Sequence, residues 1–252
     1  MAEIHPTAVV DSSARLAEGV RIGPFCVVEP DTELGAGTEL ASHVVIRRGA
    51  RLGARNRVHP FCVLGGPPQD KSHDGRASWV TVGDDNVFRE SCTVNGGTQK
   101  GDGTTRIGDS GLFMVGAHVA HDCEVGDRVI LTNYVSLGGH VVLEQAVVLG
   151  GHVAVAPFCR IGRMVFAAGG AMIERSVPPF LTVAGDRARV RGVNSVGLER
   201  NQVPEASIRA LRAAQRALYS GAEPLRVAAR RLSETESDDF VRQLLAAILD
   251  DS

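Results

Sequence analysis

The chain has 252 residues, and 27 Lys or Arg against 29 Asp or Glu give it a formal net charge of −2 with histidine neutral. This near-balanced charge gives no reason to expect a nucleic acid as partner. The first residues carry neither a basic start nor an apolar run, and no stretch approaches the ~20 apolar residues that cross a bilayer. We therefore expect a cytoplasmic protein with no signal peptide and no membrane span.

Aliphatic residues recur at every sixth position along most of the chain. Eleven successive positions from Ile4 to Leu64 hold only Ile, Val or Leu, and a second series runs from Ile107 to Ile161. A period of six matches neither a helix nor simple strand alternation, and it is typical of a parallel β-helix built from hexapeptide repeats. Each hexad is predicted to form a short strand and a corner, and the inter-strand spacing stacks them into about ten coils.

The repeat resembles that of hexapeptide-repeat proteins, in which three hexads close one triangular coil. That resemblance implies left-handed coiling, against the usual right-handed preference of parallel crossovers. The predicted fold is an all-β solenoid plus α, a left-handed parallel β-helix at residues 1–190 with a C-terminal helical domain at 191–252. Several glycines directly follow the inward aliphatic residue, as Gly23 follows Ile22 and Gly53 follows Leu52. We expect these glycines to supply the special backbone angles of tight corners.

The cysteines share one phase of the repeat. Each follows an apolar repeat residue by four places, which predicts one inward column of small residues. We expect buried free thiols, since free cysteine packs as a small hydrophobe. The column consists of Cys26, Cys62, Cys92, Cys123 and Cys159.

Two segments interrupt the repeat, and the tail abandons it. Residues 65–79 contain a Pro-Pro pair, and residues 96–105 shift the phase by one, so both are predicted to be loops that carry function. Beyond Asn194 the apolar residues recur at helical spacing. We predict helices from Pro204 to about residue 220, from Pro224 to Leu232 and over 238–249, covering the open end of the solenoid.

Histidines cluster in one stretch of the solenoid. His118 and the His121-Asp122 pair flank an inward valine, and His140 follows His121 by nineteen residues, one coil plus one. Acyl transfer to a hydroxyl needs a base with a pKa near neutrality, which favours histidine. Neighbouring strand residues point to opposite faces, so His121 and Asp122 can cooperate only at a corner, or through backbone or water.

A zinc site is the competing interpretation of this cluster. Trimeric hexapeptide carbonic anhydrases hold zinc with three histidines across a subunit interface, and His118, His121 and His140 would be the ligands here. The chain length and the helical tail do not fit that group. We therefore predict no metal.

Several blocks together resemble the acyl-carrier-protein:UDP-N-acetylglucosamine O-acyltransferases, the family that starts lipid A synthesis. The most specific is His-x-x-His-Asp-Cys at residues 118–123, and the likeness covers essentially the whole chain. The further blocks are Pro68-Gln69-Asp70, Gly138-Gly139-His140-Val141, Pro157-Phe158-Cys159, Val177-Pro178-Pro179-Phe180 and Gly192-Val193-Asn194.

The resemblance implies a homotrimer with active sites in clefts between subunits. It makes His121 the general base toward the sugar 3-hydroxyl, Asp122 its support and the Gly139 N–H the donor to the thioester oxyanion. No cofactor is implied, because the donor acyl chain arrives on the phosphopantetheine of acyl carrier protein. The residues implied to hold the UDP-amino sugar or the phosphopantetheine arm are Asp70, His118, His140, Asn194 and Arg200.

The resemblance also implies what limits and guides the acyl donor. Gly169 matches the position that limits acyl-chain length, where a side chain would shorten the groove. Acyl carrier proteins are acidic, so arginines around the cleft end would steer docking. These arginines are Arg160, Arg163, Arg187, Arg189, Arg191 and Arg200.

The chain departs from the family pattern at three places. Lys71-Ser72 shifts a family lysine by one residue, Asn95 replaces a family histidine, and Ala156 replaces another. These departures leave open the exact nucleotide sugar, the acyl-chain length and whether Lys71 replaces the shifted lysine. The alternatives are a 3-amino UDP-sugar acceptor and a non-catalytic binding solenoid. The later N-acyltransferase of the pathway carries an extra N-terminal domain, and repeats that begin at Ile4 argue against it.

Overall fold

The chain folds into the predicted left-handed parallel β-helix, followed by α-helices. The computed structural model describes residues 1–250. Short strands pass in turn over three faces, so that most strands pair in parallel with the third strand further along the chain. A six-residue repeat produces this arrangement because two residues suffice for each strand and four for each corner.

The three faces are extended sheets. The first face holds β1 Glu3–Ile4, β4 Arg21–Ile22, β7 Glu39–Leu40, β10 Arg57–Val58, β13 Val87–Phe88, β16 Leu112–Phe113, β19 Ile130–Leu131, β22 Val148–Leu149, β25 Phe166–Ala167, β27 Leu181–Ala184 and, antiparallel, β28 Arg189–Val193. The second holds β2 Val9–Val10, β5 Val27–Val28, β8 Val45–Ile46, β11 Val63–Gly66, β14 Thr93–Asn95, β17 His118–Val119, β20 Ser136–Leu137, β23 Ala154–Val155 and β26 Met172–Ile173. The third holds β3 Arg15–Leu16, β6 Glu33–Leu34, β9 Ala50–Leu52, β12 Trp79–Val82, β15 Thr104–Ile107, β18 Glu124–Val125, β21 Val142–Leu143 and β24 Arg160–Ile161.

The corners form three edges, which position the site. We call the corners from the first to the second face the first edge, those from the second to the third face the second edge, and those from the third back to the first the third edge. Both predicted loops lie on the second edge, where residues 67–78 connect β11 to β12 and residues 96–103 connect β14 to β15. The prediction of two insertions in the solenoid is thereby confirmed.

The repeat aliphatics form the core. In almost every strand the aliphatic residue of the six-residue repeat is buried, as Leu64 is in β11 and Leu137 is in β20. Stacking brings the same residue of successive coils into contact, so that a continuous apolar column runs along the solenoid. Burial of each such side chain contributes roughly 1.5–3 kcal/mol.

The expected role of the corner glycines was wrong. Gly23 and Gly53 are not among the residues with positive φ; that conformation lies two residues later, at Phe25 (φ 58°) and Arg55 (φ 55°). The glycines are needed because successive coils stack closely, since a Cβ on Gly23 would lie 2.0 Å from the Ala41 carbonyl oxygen. A side chain is excluded there by contact with the next coil and not by backbone angle.

None of the five cysteines forms a disulfide and all five are buried, as predicted. Burial raises the pKa of Cys123 to about 12, which keeps this thiol protonated at neutral pH. Because the thiolate is the reactive form, we expect no reaction of the native protein with a thiol reagent such as Ellman's reagent, and reaction of all five thiols in denaturant. Rapid labelling of any cysteine in the native protein would contradict the buried column.

The tail contains α1 Ser195–Arg200, α2 Glu205–Leu218, α3 Leu225–Ser233 and α4 Asp239–Asp250. The three predicted helices correspond to α2, α3 and α4. The predictions missed α1 and the β27–β28 hairpin, because six residues and a single antiparallel pairing leave little periodic signal. The predicted domain boundary after residue 190 falls within β28 and stays a prediction. Within residues 1–250 no helix is both long and apolar enough to cross a bilayer.

Candidate active site

His121 and Asp122 lie together at a corner of the second edge, between β17 and β18. Asp122 has a φ of 59°, and this left-handed turn places both side chains on one side of the corner. His121 Nδ1 lies 2.8 Å from Asp122 Oδ2. The two adjacent residues therefore lie at a corner, as their direct cooperation requires.

The Asp122 carboxylate is held from both sides. Thr98 donates its backbone N–H to Oδ1 at 2.8 Å and its hydroxyl to Oδ2 at 2.7 Å. Burial by itself raises the pKa of Asp122, but the hydrogen bonds from Thr98 and His121 and the nearby His140 outweigh burial and lower that pKa below its ordinary value. Asp122 is therefore anionic at neutral pH.

The ionised carboxylate decides the tautomer of His121. Since an anionic carboxylate only accepts hydrogen bonds, Nδ1 of His121 carries the proton and Nε2 is left as the acceptor. This is the arrangement of a general base that is oriented by a carboxylate. Thr98 was not identified from the sequence, where only its place in the second loop pointed to a function.

The next coil places Gly139 and His140 against this pair. The His140 backbone N–H donates to the His121 carbonyl at 3.0 Å, and the two imidazole centroids lie 5.3 Å apart. The His140 ring also stacks on Phe158, with centroids 4.5 Å apart. His140 Nε2 lies 3.4 Å from Asp122 Oδ2, but it is buried without a hydrogen-bond partner, so the close approach is electrostatic.

Gly139 directly faces the base. A Cβ on this residue would lie 2.4 Å from Cε1 and 2.7 Å from Nε2 of His121. Among the hydrogen bonds between described residues, none uses the Gly139 N–H. A donor without an internal partner beside a histidine base is what an oxyanion site requires.

His118 lies on the second face, one strand residue from the corner. Its Nδ1 is hydrogen bonded to Thr93 Oγ1 at 2.8 Å. Burial, and to a lesser degree the charge of His121, lowers the pKa of His118, so that its imidazole is neutral at pH 7. One possible metal-ligand atom from each of His121, Asp122 and His140 lies within 4.8 Å of the other two. This set of residues differs from the three histidines that the sequence suggested as zinc ligands.

The remaining predicted residues are spread over the molecule. Asp70 lies in the loop of residues 67–78 on the second edge, with Lys100 Nζ at 2.9 Å. Asn194 lies by the third edge, where its Nδ2 donates to the Met164 carbonyl at 2.8 Å and its Oδ1 caps α1 through the Gly197 N–H. Arg200 ends α1. Within one chain Asn194 thus lies by a different edge from His121.

Gly169 and Asn95 each lie close to a backbone carbonyl of another part of the chain. Gly169 lies on the first edge, and a Cβ there would come within 3.3 Å of the Gly151 carbonyl oxygen. Asn95, a departure from the family pattern, is buried, and its Nδ2 donates to the Pro67 carbonyl at 3.0 Å. Asn95 therefore supports the base of the loop of residues 67–78.

Comparison with known proteins agrees with this geometry. Residues 177–252 match the family model of the second domain of UDP-N-acetylglucosamine O-acyltransferase, and residues 13–48 match the bacterial transferase hexapeptide model. Two curated relatives are named acyl-[acyl-carrier-protein]–UDP-N-acetylglucosamine O-acyltransferase. The one from Syntrophobacter fumaroxidans is 44% identical over 86% of this chain and 84% of its own length. The one from a Janthinobacterium species is 41% identical over 97% and 95%.

The solved structure of UDP-N-acetylglucosamine O-acyltransferase from Moraxella catarrhalis superposes with a TM-score of 0.93. It is 35% identical, over 97% of this chain and 96% of that one. The compared length therefore includes both the solenoid and the helical tail. The chain thus belongs to the acyl-[acyl-carrier-protein]–UDP-N-acetylglucosamine O-acyltransferase family.

Proposed function

We propose that this enzyme transfers a 3-hydroxyacyl chain from acyl carrier protein to the 3-hydroxyl of UDP-N-acetylglucosamine, the first step of lipid A biosynthesis. The observation that carries the proposal is the His121–Asp122 pair, which engages Nδ1 and leaves Nε2 on the side of Gly139. The relatives' names supply the donor and the acceptor. The non-catalytic alternative is disfavoured, because the whole base and its support are intact.

The reaction follows from this geometry. His121 Nε2 removes the proton of the sugar hydroxyl, and the oxygen attacks the thioester carbonyl carbon. The Gly139 N–H stabilises the oxyanion of the tetrahedral intermediate, while Asp122 stabilises the imidazolium. The intermediate collapses with cleavage of the C–S bond, and the phosphopantetheine thiolate takes the proton from His121.

A transfer assay tests the function. Purified enzyme is mixed with 3-hydroxyacyl carrier proteins of several chain lengths and with either UDP-N-acetylglucosamine or its 3-amino analogue. We expect turnover with the 3-hydroxy acceptor. In the cell we place this reaction in the cytoplasm, where the carrier protein is made. Because the thioester is already activated, activity is expected to survive dialysis against EDTA. Turnover with the amino analogue alone would instead establish an N-acyl product.

The distribution of the site residues supports a homotrimer with shared sites. His121 lies on the second edge, and Asn194 lies by the third edge of the same chain, six residues before Arg200 at the end of α1. In the proposed trimer, three prisms pack around one axis so that the second edge of one chain meets the third edge of the next. A site that uses both sets of residues then lies between two subunits.

Mixing two inactive variants tests this sharing. Trimers that contain both His121→Ala and Arg200→Ala chains should regain activity, because one interface combines the intact His121 with the intact Arg200. Random mixing predicts about one quarter of the sites to be intact. Co-refolded mixtures are compared with each variant alone, and a mixture with no more activity than its parts would place both residues in one subunit's site.

The carrier protein and the acyl chain have separate contact regions in this proposal. Of the predicted docking arginines, Arg160 pairs with Glu144 and Arg163 lies over the Phe180 ring, so both already have a partner within the chain. Arginines without an ion pair among residues 1–250 are better placed to meet an acidic surface: Arg189, Arg191 and Arg200. Gly169 would face the acyl end, and its missing side chain favours a long chain.

A further inference from the structure

The two loops of the second edge are joined by one ion pair. Lys100, in the loop of residues 96–103, places Nζ 2.9 Å from Oδ2 of Asp70 in the loop of residues 67–78. The other Asp70 oxygen accepts the Ser72 N–H and hydroxyl, both at 2.8 Å. Both oxygens of Asp70 are therefore engaged by the protein itself.

The same loop closes directly on Asp122. Thr98, two residues before Lys100, donates to both carboxylate oxygens, and Lys100 donates its N–H to Thr98 Oγ1 at 3.2 Å. The backbone of Gly103 also donates to the Thr98 carbonyl at 3.0 Å, which makes the loop a tight turn. The loop packs closely against the carboxylate, since a Cβ on Gly101 would lie 2.6 Å from Asp122 Oδ1.

The position of Lys100 also accounts for a departure in the sequence. The resemblance places a lysine where this chain has Ser72, and Lys71 beside it is exposed and forms no ion pair among the described residues. Ser72 instead donates its hydroxyl to Asp70, and the cation comes from the other loop. The cation beside Asp70 is therefore Lys100 and not Lys71.

We propose that Lys100 is a positioning residue: its ion pair with Asp70 holds the loop of residues 96–103 so that Thr98 fixes the Asp122 carboxylate and, through it, the His121 base. This inference rests on the proposed function. It assigns Asp70 to the same support, in addition to any contact with substrate. The unbroken series of contacts runs from Asp70 through Lys100 and Thr98 to Asp122.

The matched variants are Lys100→Met and Lys71→Met, which remove one lysine from either loop. We expect Lys100→Met to lower kcat about tenfold, because a hydrogen bond to a charged group is weakened, while the KM for either substrate changes less than about twofold. Lys100→Arg should restore most of kcat, and Lys71→Met should behave as wild type. A raised KM with unchanged kcat would make Lys100 a substrate contact and overturn the proposal.

A double-mutant cycle tests the path of the effect. Thr98→Val removes the hydroxyl that Asp122 accepts, so its effect should be less than additive with that of Lys100→Met if both act through the carboxylate. Full additivity of the two changes in log kcat would show independent actions and contradict the proposal.

A readout without catalysis separates this proposal from the proposed function. Hydrogen exchange of the amides of residues 96–103 should accelerate in Lys100→Met and in Asp70→Asn, and not in Lys71→Met. Such acceleration in a protein that showed no transfer activity would support the loop contact while the proposed function failed. Unchanged exchange in all variants would overturn the role of Lys100 even in an active enzyme.

Discussion

Replacing His121 by alanine is expected to lower kcat by roughly 10²–10⁴-fold, the range that a general base contributes. The variant keeps Asp122, Thr98 and the Gly139 N–H, so substrate binding and the oxyanion site should persist. KM should therefore change much less than kcat. The measurement is steady-state transfer from 3-hydroxyacyl carrier protein to UDP-N-acetylglucosamine.

His152→Ala is the matched control for this experiment. His152 also lies at a corner, but on the first edge, where it stacks on Tyr134 with ring centroids 5.2 Å apart. It should retain nearly all transfer activity. If His121→Ala kept more than about a tenth of the wild-type kcat, His121 would not be the base, and His118 or His140 would have to take that role.

Gly139→Ala is expected to lower kcat by about 10²-fold without unfolding the solenoid, because misplacement of a catalytic group by about 1 Å has effects of this size. The new methyl group would lie 2.4 Å from His121 Cε1, so the imidazole has to move away from the attacking hydroxyl. The backbone N–H remains, which means that the loss reports the position of the base. Transfer kinetics and thermal unfolding are measured together.

Gly151→Ala provides the comparison. Its Cβ would meet nothing closer than the Asn133 carbonyl oxygen at 3.6 Å, an ordinary contact. This variant should therefore match wild type in both kcat and Tm. Equal activity of Gly139→Ala and Gly151→Ala would mean that the coil above His121 does not define the position of the base.

The effects of Thr98 and Lys100 would explain how the catalytic pair keeps its support in this chain despite the departures from the family pattern. Asn95 and Ser72 replace basic residues, yet both now serve loop structure: Asn95 donates to the Pro67 carbonyl and Ser72 to Asp70. The positive charge near Asp70 is retained by Lys100. The departures therefore change how the second edge is supported, while the His121–Asp122 pair stays as it was.

The solenoid could be predicted from the sequence because its cause is local and repeated. Every coil contacts only its neighbours, so the same demand for an inward aliphatic residue recurs every six residues from Ile4 to Ile161. The buried cysteine column followed from the same phase. The left-handed coiling and the roles of His121 and Asp122 were predicted from the resemblance to a family and not from the period.

The support of the site was decided by the tertiary structure. Thr98 meets Asp122 across 24 residues, and Lys100 meets Asp70 across 30, both from loops that interrupt the repeat and so carry no periodic signal. The corner turned two adjacent residues, His121 and Asp122, to the same side, which strand alternation alone forbids. The period of the sequence thus determined the scaffold, and the resemblance to a family identified His121 as the base. Only the folded chain decided which polar groups orient that base, because those contacts depend on where two non-repeating loops come to rest.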